Sequence, residues 1–108
     1  MASIIERNTR YNGYPILVFR YSQEGRPDWH CAYIGIPKYN NPPRVNIKKI
    51  FTKDGRVVSF HEPHAPFMQG SSDYDYIGFE WFEKETTSQY CFDEMISIVN
   101  KIEAGEYA

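Results

Sequence analysis

Polar and apolar positions alternate most clearly between Asp75 and Phe82. Asp75, Ile77, Phe79 and Trp81 fall on one face of an extended chain, and Tyr74, Tyr76, Gly78, Glu80 and Phe82 fall on the other. Aromatic residues on both faces predict a central strand covered on both sides. Two strands are predicted upstream. Residues 14–21, with Ile16, Leu17, Val18 and Phe19, form the first, and Pro15 stands at its start, where a missing donor is tolerated. Residues 30–36 form the second, antiparallel to the first because only a short loop over residues 22–28, containing Glu24-Gly25-Arg26-Pro27, connects them. Gly35 within it predicts a bulge or the close approach of another backbone. Residues 56–61 read as a third strand after the Asp54-Gly55 turn, and residues 75–82 as the fourth. Residues 1–13 read as an extended arm ending in an Asn12-Gly13 turn. The prolines and asparagines between Pro37 and Arg44 predict an irregular loop. Residues 45–53 do not decide between a strand and a short helix.

From Thr87 the period changes. Cys91, Met95, Ile98 and Ile102 fall on one helical stripe, widened by Phe92, Ile96 and Val99. Thr87 or Ser88 serves as N-cap and Gly105 closes the C-terminus. A stripe this broad packs on a sheet. The expectation is an α+β domain: a mostly antiparallel sheet of about four strands with a C-terminal helix, residues 87–103, across one face. A chain of 108 residues makes one such domain.

Composition adds three points. Nine tyrosines are many for this length; they suit a recognition surface, and equally the core of a tyrosine-rich sheet. No apolar run is long enough to span a membrane and the N-terminus lacks a signal peptide's apolar stretch, so a cytoplasmic protein is expected. Charge is uneven. Residues 1–60 hold ten Lys or Arg against four Asp or Glu, net +6, and residues 61–108 hold two against ten, net −8. The two halves either present opposite surfaces to partners or interleave and cancel.

The chemistry-bearing residues form few patterns. Cys31 and Cys91 are isolated in apolar surroundings and read as buried thiols, which disfavours a Cys31–His61 nucleophilic pair. His61 and His64, with Glu62 and Asp73, have metal-ligand chemistry, but Pro63 breaks a helical His-x-x-His and no third imidazole is near, so neither metal nor cofactor is expected. A basic set, Lys38, Arg44, Lys48, Lys49, Lys53 and Arg56 with Tyr39 and Phe51, suits phosphates and stacked bases, or is a solvated loop. An acidic set, Asp73, Asp75, Glu80, Glu83 and Glu85 with Tyr74, Tyr76 and Trp81, suits a basic protein surface, or protects a sheet edge.

His30-Cys31-Ala32-Tyr33-Ile34-Gly35-Ile36-Pro37 resembles the Cys-Gly-Tyr-Val-Gly-Val-Pro segment of a widespread family of small phage-encoded proteins. Val57-Val58-Ser59-Phe60-His61 resembles that family's His-Gly-Gly element, and Tyr76-Ile77-Gly78-Phe79-Glu80 its Trp-Phe-Gly-Phe-Asp element, in the same order. Here Glu62-Pro63 replaces Gly-Gly, Glu80 the Asp, and Trp81 and Glu83 a following Cys and His. The resemblance implies phage origin and, with it, the host cytoplasm.

Two functions follow. In the first, a phage-type binding protein inhibits a host protein, of a defence system, without catalysis, and Asp73, Tyr74, Asp75, Tyr76, Glu80 and Trp81 meet a basic surface on it. In the second, a nucleotide, nucleic acid or small molecule, or an enzyme's substrate, occupies a pocket around His61, His64 and Glu80, with Lys38, Tyr39, Arg44, Lys48 and Lys49 supplying phosphate contacts. The sequence is silent on oligomeric state.

Overall fold

A computed structural model describes residues 1–68, 70 and 72–108. Five strands form one wholly antiparallel sheet: β1 (Ala2–Tyr11), β2 (Tyr14–Gln23), β3 (Arg26–Pro37), β4 (Phe60–Glu62) and β5 (Tyr74–Trp81), in the order β1-β2-β3-β5-β4. One helix, α1 (Ser88–Glu103), packs across one face, so the fold is α+β.

Residues 1–13 are not a loose arm. They form β1, paired with β2 from Ala2↔Ser22 to Tyr11↔Tyr14. Asn12 and Gly13 join the two strands at φ of 51° and 84°, the pair of positive angles that an Asn-Gly hairpin turn requires. The expected loop over residues 22–28 contracts to a turn at Glu24-Gly25, since Gln23 already pairs with Arg26. Ladder hydrogen bonds are made by the backbone, so both strands continue past the point where the apolar pattern stops. The expected third strand is mostly absent: Val57 makes a single bridge to Phe51, and regular pairing begins only at Phe60. Residues 45–53 resolve into one 3-10 turn, Ile47–Lys49, which the Asn46 side chain caps by accepting from the Lys48 N–H, followed by extended chain with Ile50 buried.

Alternation along the strands sorts the side chains into two clusters. On the helix side Ile16, Val18, Ala32, Ile34, Ile77, Phe79 and Trp81 meet Cys91, Met95, Ile98, Val99 and Ile102 from the predicted stripe. Thr87 is the N-cap, accepting from the Tyr90 N–H at 3.1 Å, and Gly105, at φ 75°, ends the helix. The opposite side holds Phe19, Tyr21, Trp29, Cys31, Tyr33 and Tyr76. β5 thus buries residues on both faces, Ile77, Phe79 and Trp81 under α1 and Tyr76 in the aromatic cluster.

Both glycines of the central strands are there for close approach. Gly35 is not a bulge: it pairs with Tyr76 in an unbroken ladder with β5, and a Cβ there would meet the Cβ of Tyr74 at 3.1 Å and the Cδ of Pro15 at 3.2 Å. At Gly78 a Cβ would lie 2.7 Å from Cε1 of Tyr33 and 3.1 Å from the Cβ of Phe60. Gly78→Ala is therefore expected to cost about 1–3 kcal/mol through overpacking, read as a lower urea midpoint at unchanged slope. No helix among the described residues is long and apolar enough to cross a membrane.

Candidate functional site: an aromatic cleft on the open face of the sheet

Among the described residues no second helix covers the face of the sheet away from α1. β2, β3 and β5 each place two aromatic residues on it: Phe19 and Tyr21, Trp29 and Tyr33, Tyr74 and Tyr76. Phe19 and Tyr21 on β2, Trp29 on β3 and Phe82 just beyond β5 therefore line up as a run of stacked rings. Centroid separations along it are 5.9, 5.5 and 6.1 Å, with interplanar angles below 30°. Beside this run Tyr33 meets Phe60 edge to face at 5.1 Å.

The segment after β4 folds back over these rings. Met68 N–H donates to the Ala65 carbonyl at 3.1 Å, closing a turn with Pro66 and Phe67 at its centre. Phe67 holds φ at 65°, a region that bulky residues rarely occupy, and its ring is 67% exposed while meeting Phe19 edge-on and Tyr21 at a tilt. Between this turn and the sheet lies a cleft of about 360 Å³, within the range of ligand-binding clefts. Tyr21, Trp29, Tyr33, Phe60, Phe67 and Glu80 line it, with Cys31 at its floor and Met1 at its margin. Around the cleft Met1, Ile5, Phe67, Met68 and Phe82 are all more than half exposed.

Glu80 pairs directly with Cys31 across the β3–β5 ladder, so its side chain points into this face. Burial pushes the Cys31 thiol up to about 12, against a weaker opposing hydrogen bond from Tyr33. Burial and a 3.2 Å hydroxyl contact with Tyr21 raise Tyr33 as well. Burial thus favours the protonated thiol and hydroxyls at neutral pH, as for a buried structural cysteine. Cys31 and His61 also lie on different faces: Cys31 is in register with Glu80 and His61 with Ile77.

The expected contact residues do not form one exposed surface. Trp81 is fully buried under α1, and Tyr76 is 7% exposed within the aromatic cluster, so neither presents a ring to a partner. The Tyr74 hydroxyl accepts from Arg10 Nη1 at 2.7 Å and the ring is half-buried. Asp75 lies 3.7 Å from the Lys38 ammonium, and Glu83 pairs with Arg56. The acidic and basic sets thus partly neutralise each other across the fold, and only Asp73 and Glu80 of the six expected contact residues remain available.

The second expected pocket is divided. His61 lines a groove of about 390 Å³ with Lys38, Pro42, Pro43, Val45 and Asp75. Glu80 lines the aromatic cleft instead. His64 turns to the Ala65 carbonyl, with Glu62 3.9 Å from its other ring nitrogen. Tyr39, Arg44, Lys48 and Lys49 are exposed, and Lys49 reaches the Ala108 carbonyl oxygen at 2.8 Å. Among the described residues no group of three or more His, Cys, Asp or Glu side chains comes together as a metal site.

Asp54, read from the sequence as a turn residue, is the hub of a polar network. It accepts from Trp81 Nε1 and Arg56 Nε at 3.0 Å, from the Tyr90 hydroxyl at 3.1 Å, and from Thr52. Burial raises its pKa, but these four donors outweigh burial and hold the carboxyl at about 2. A folded value below the unfolded one means stability present above the unfolded pKa and lost as pH falls through the folded one. The parent is therefore expected to lose this contribution between about pH 4 and pH 2. Asp54→Asn should be less stable at neutral pH and show a flatter acid limb in urea unfolding. An unchanged acid limb would mean the network contributes nothing.

Comparison with family models, with curated proteins and with solved structures returned no match.

Proposed function

We propose that this chain is a non-catalytic binding protein that acts by covering a basic surface of a protein partner, with the aromatic face of the sheet as the contact surface. The observation that carries this is the cleft together with its exposed apolar margin. A soluble domain rarely leaves Ile5, Phe67, Met68 and Phe82 open around a concave aromatic site without a partner for them. The protonated, buried Cys31 thiol supports binding over covalent chemistry. In the setting that the phage resemblance implies, the partner is a host defence protein and the outcome is inhibition.

Phe67 adds a separate argument. A bulky residue at positive φ is strained by about 1–2 kcal/mol, and strain of this kind clusters at functional sites. Phe67→Asn, which accepts that conformation, is expected to leave stability unchanged or raise it while weakening partner capture. The reading is tested by capture from a bacterial lysate with the parent and with Phe67→Asp, both checked for cooperative unfolding. A specific band lost in the variant supports it; equal capture by both places the interface elsewhere. The groove beside His61 is then the better site, for a small molecule or nucleotide, though Lys38 is already engaged by Asp75 and by the Pro63 carbonyl.

A further inference from the structure

We infer that the aromatic cleft receives the guanidinium of an arginine side chain on the partner, with Glu80 as its counter-ion. This rests on the proposed contact surface and names the group that surface selects. Three observations support it. First, Glu80 is the one carboxylate lining the cleft, and no lysine, arginine or amino terminus forms an ion pair with it among the described residues. Arg56 reaches only the backbone carbonyl of Glu80, at 3.0 Å, from the helix side of the sheet. Second, the surrounding groups stay neutral: the Cys31 thiol and the Tyr21 and Tyr33 hydroxyls are all shifted upward, burial being the largest cause in each. The Met1 amino terminus lies at the margin, and the one charge among the other lining groups is the Glu80 carboxylate, which attracts a cation and repels phosphate.

Third, the walls suit a flat cation. Tyr21, Trp29, Tyr33, Phe60 and Phe67 bring five rings to its lining, and a planar guanidinium packs against aromatic rings while its N–H edges reach a carboxylate. The chain already uses this contact once: Arg26 lies 4.5 Å from the Trp29 ring centroid and 5.9 Å from that of Phe82. A compact ammonium would gain the charge of Glu80 but not the stacking or the bidentate geometry.

The test titrates the intact protein with N-acetyl-arginine methylamide, followed by amide shifts in two-dimensional NMR. The same titration with the citrulline and lysine analogues separates charge from shape. Saturable shifts at Cys31, Tyr33, Phe60 and Glu80 are expected, weaker by about tenfold or more for the neutral citrulline analogue, as loss of a charge-assisted pair implies. Glu80→Gln should weaken arginine binding by a similar factor while leaving the helix-side amide signals in place. Equal binding of arginine and citrulline, equal or tighter binding of lysine, or undiminished binding to Glu80→Gln would each overturn the inference. In partner capture, loss with Phe67→Asp but not with Glu80→Gln would uphold the contact surface and reject the guanidinium. Retention in both variants would reject both.

Discussion

Trp81→Ala is expected to destabilise the protein by about 3–5 kcal/mol, the range for removing a large aromatic from a packed core. Trp81 is fully buried, touches Phe79 and Tyr90, lies under the Arg56 guanidinium at 5.3 Å and donates to Asp54. Truncation therefore leaves a cavity and removes one donor from the Asp54 network at the same time. Met95→Ala and Ile98→Ala, on the facing stripe of α1, are each expected to cost about 2–5 kcal/mol. Urea unfolding reads all three, and losses well under 1 kcal/mol would contradict the packing of α1 on the sheet.

The second large effect concerns binding. Phe67→Ala is expected to weaken the partner complex by about 2 kcal/mol, roughly thirtyfold, mainly through faster dissociation, as for a central aromatic anchor. Asp73→Asn should instead slow association slightly and weaken its salt dependence, because an exposed carboxylate at the end of β5 acts at long range. Asp75→Asn should do less, since Lys38 already compensates that charge. Surface plasmon resonance at two salt concentrations separates the two kinds of effect. An unchanged dissociation rate for Phe67→Ala would remove that ring from the interface.

The helix and the central strand were legible because their periods are strict: Cys91, Met95, Ile98 and Ile102 share one stripe, and Ile77, Phe79 and Trp81 share one face. The length of β1 was not legible, because it is an edge strand with mostly exposed residues and its order comes from the β2 ladder. Residues 56–61 alternate well enough for a strand, yet Arg56 and Asp54 are drawn toward Trp81 and Tyr90 by polar contacts that no period records. The cleft left a partial signal. Phe19 and Tyr21, and Trp29, Cys31 and Tyr33, recur at alternate positions of adjacent strands, which marks one aromatic face. The sequence places Tyr76 and Trp81 among the contact residues because alternation says which residues share a face but not which face stays open. That depends on the position of α1. The fold of Phe67 back over Tyr21 depends on the turn at Pro66 and has no periodic trace.

The claim that the aromatic face is the contact surface is tested most directly by hydrogen exchange on the free protein and on its complex with the captured partner. The account predicts that protection on binding concentrates in residues 59–68, which wall the cleft, with residues 38–49 unchanged. Protection confined to residues 38–49, with exchange over residues 59–68 unaltered, would contradict it.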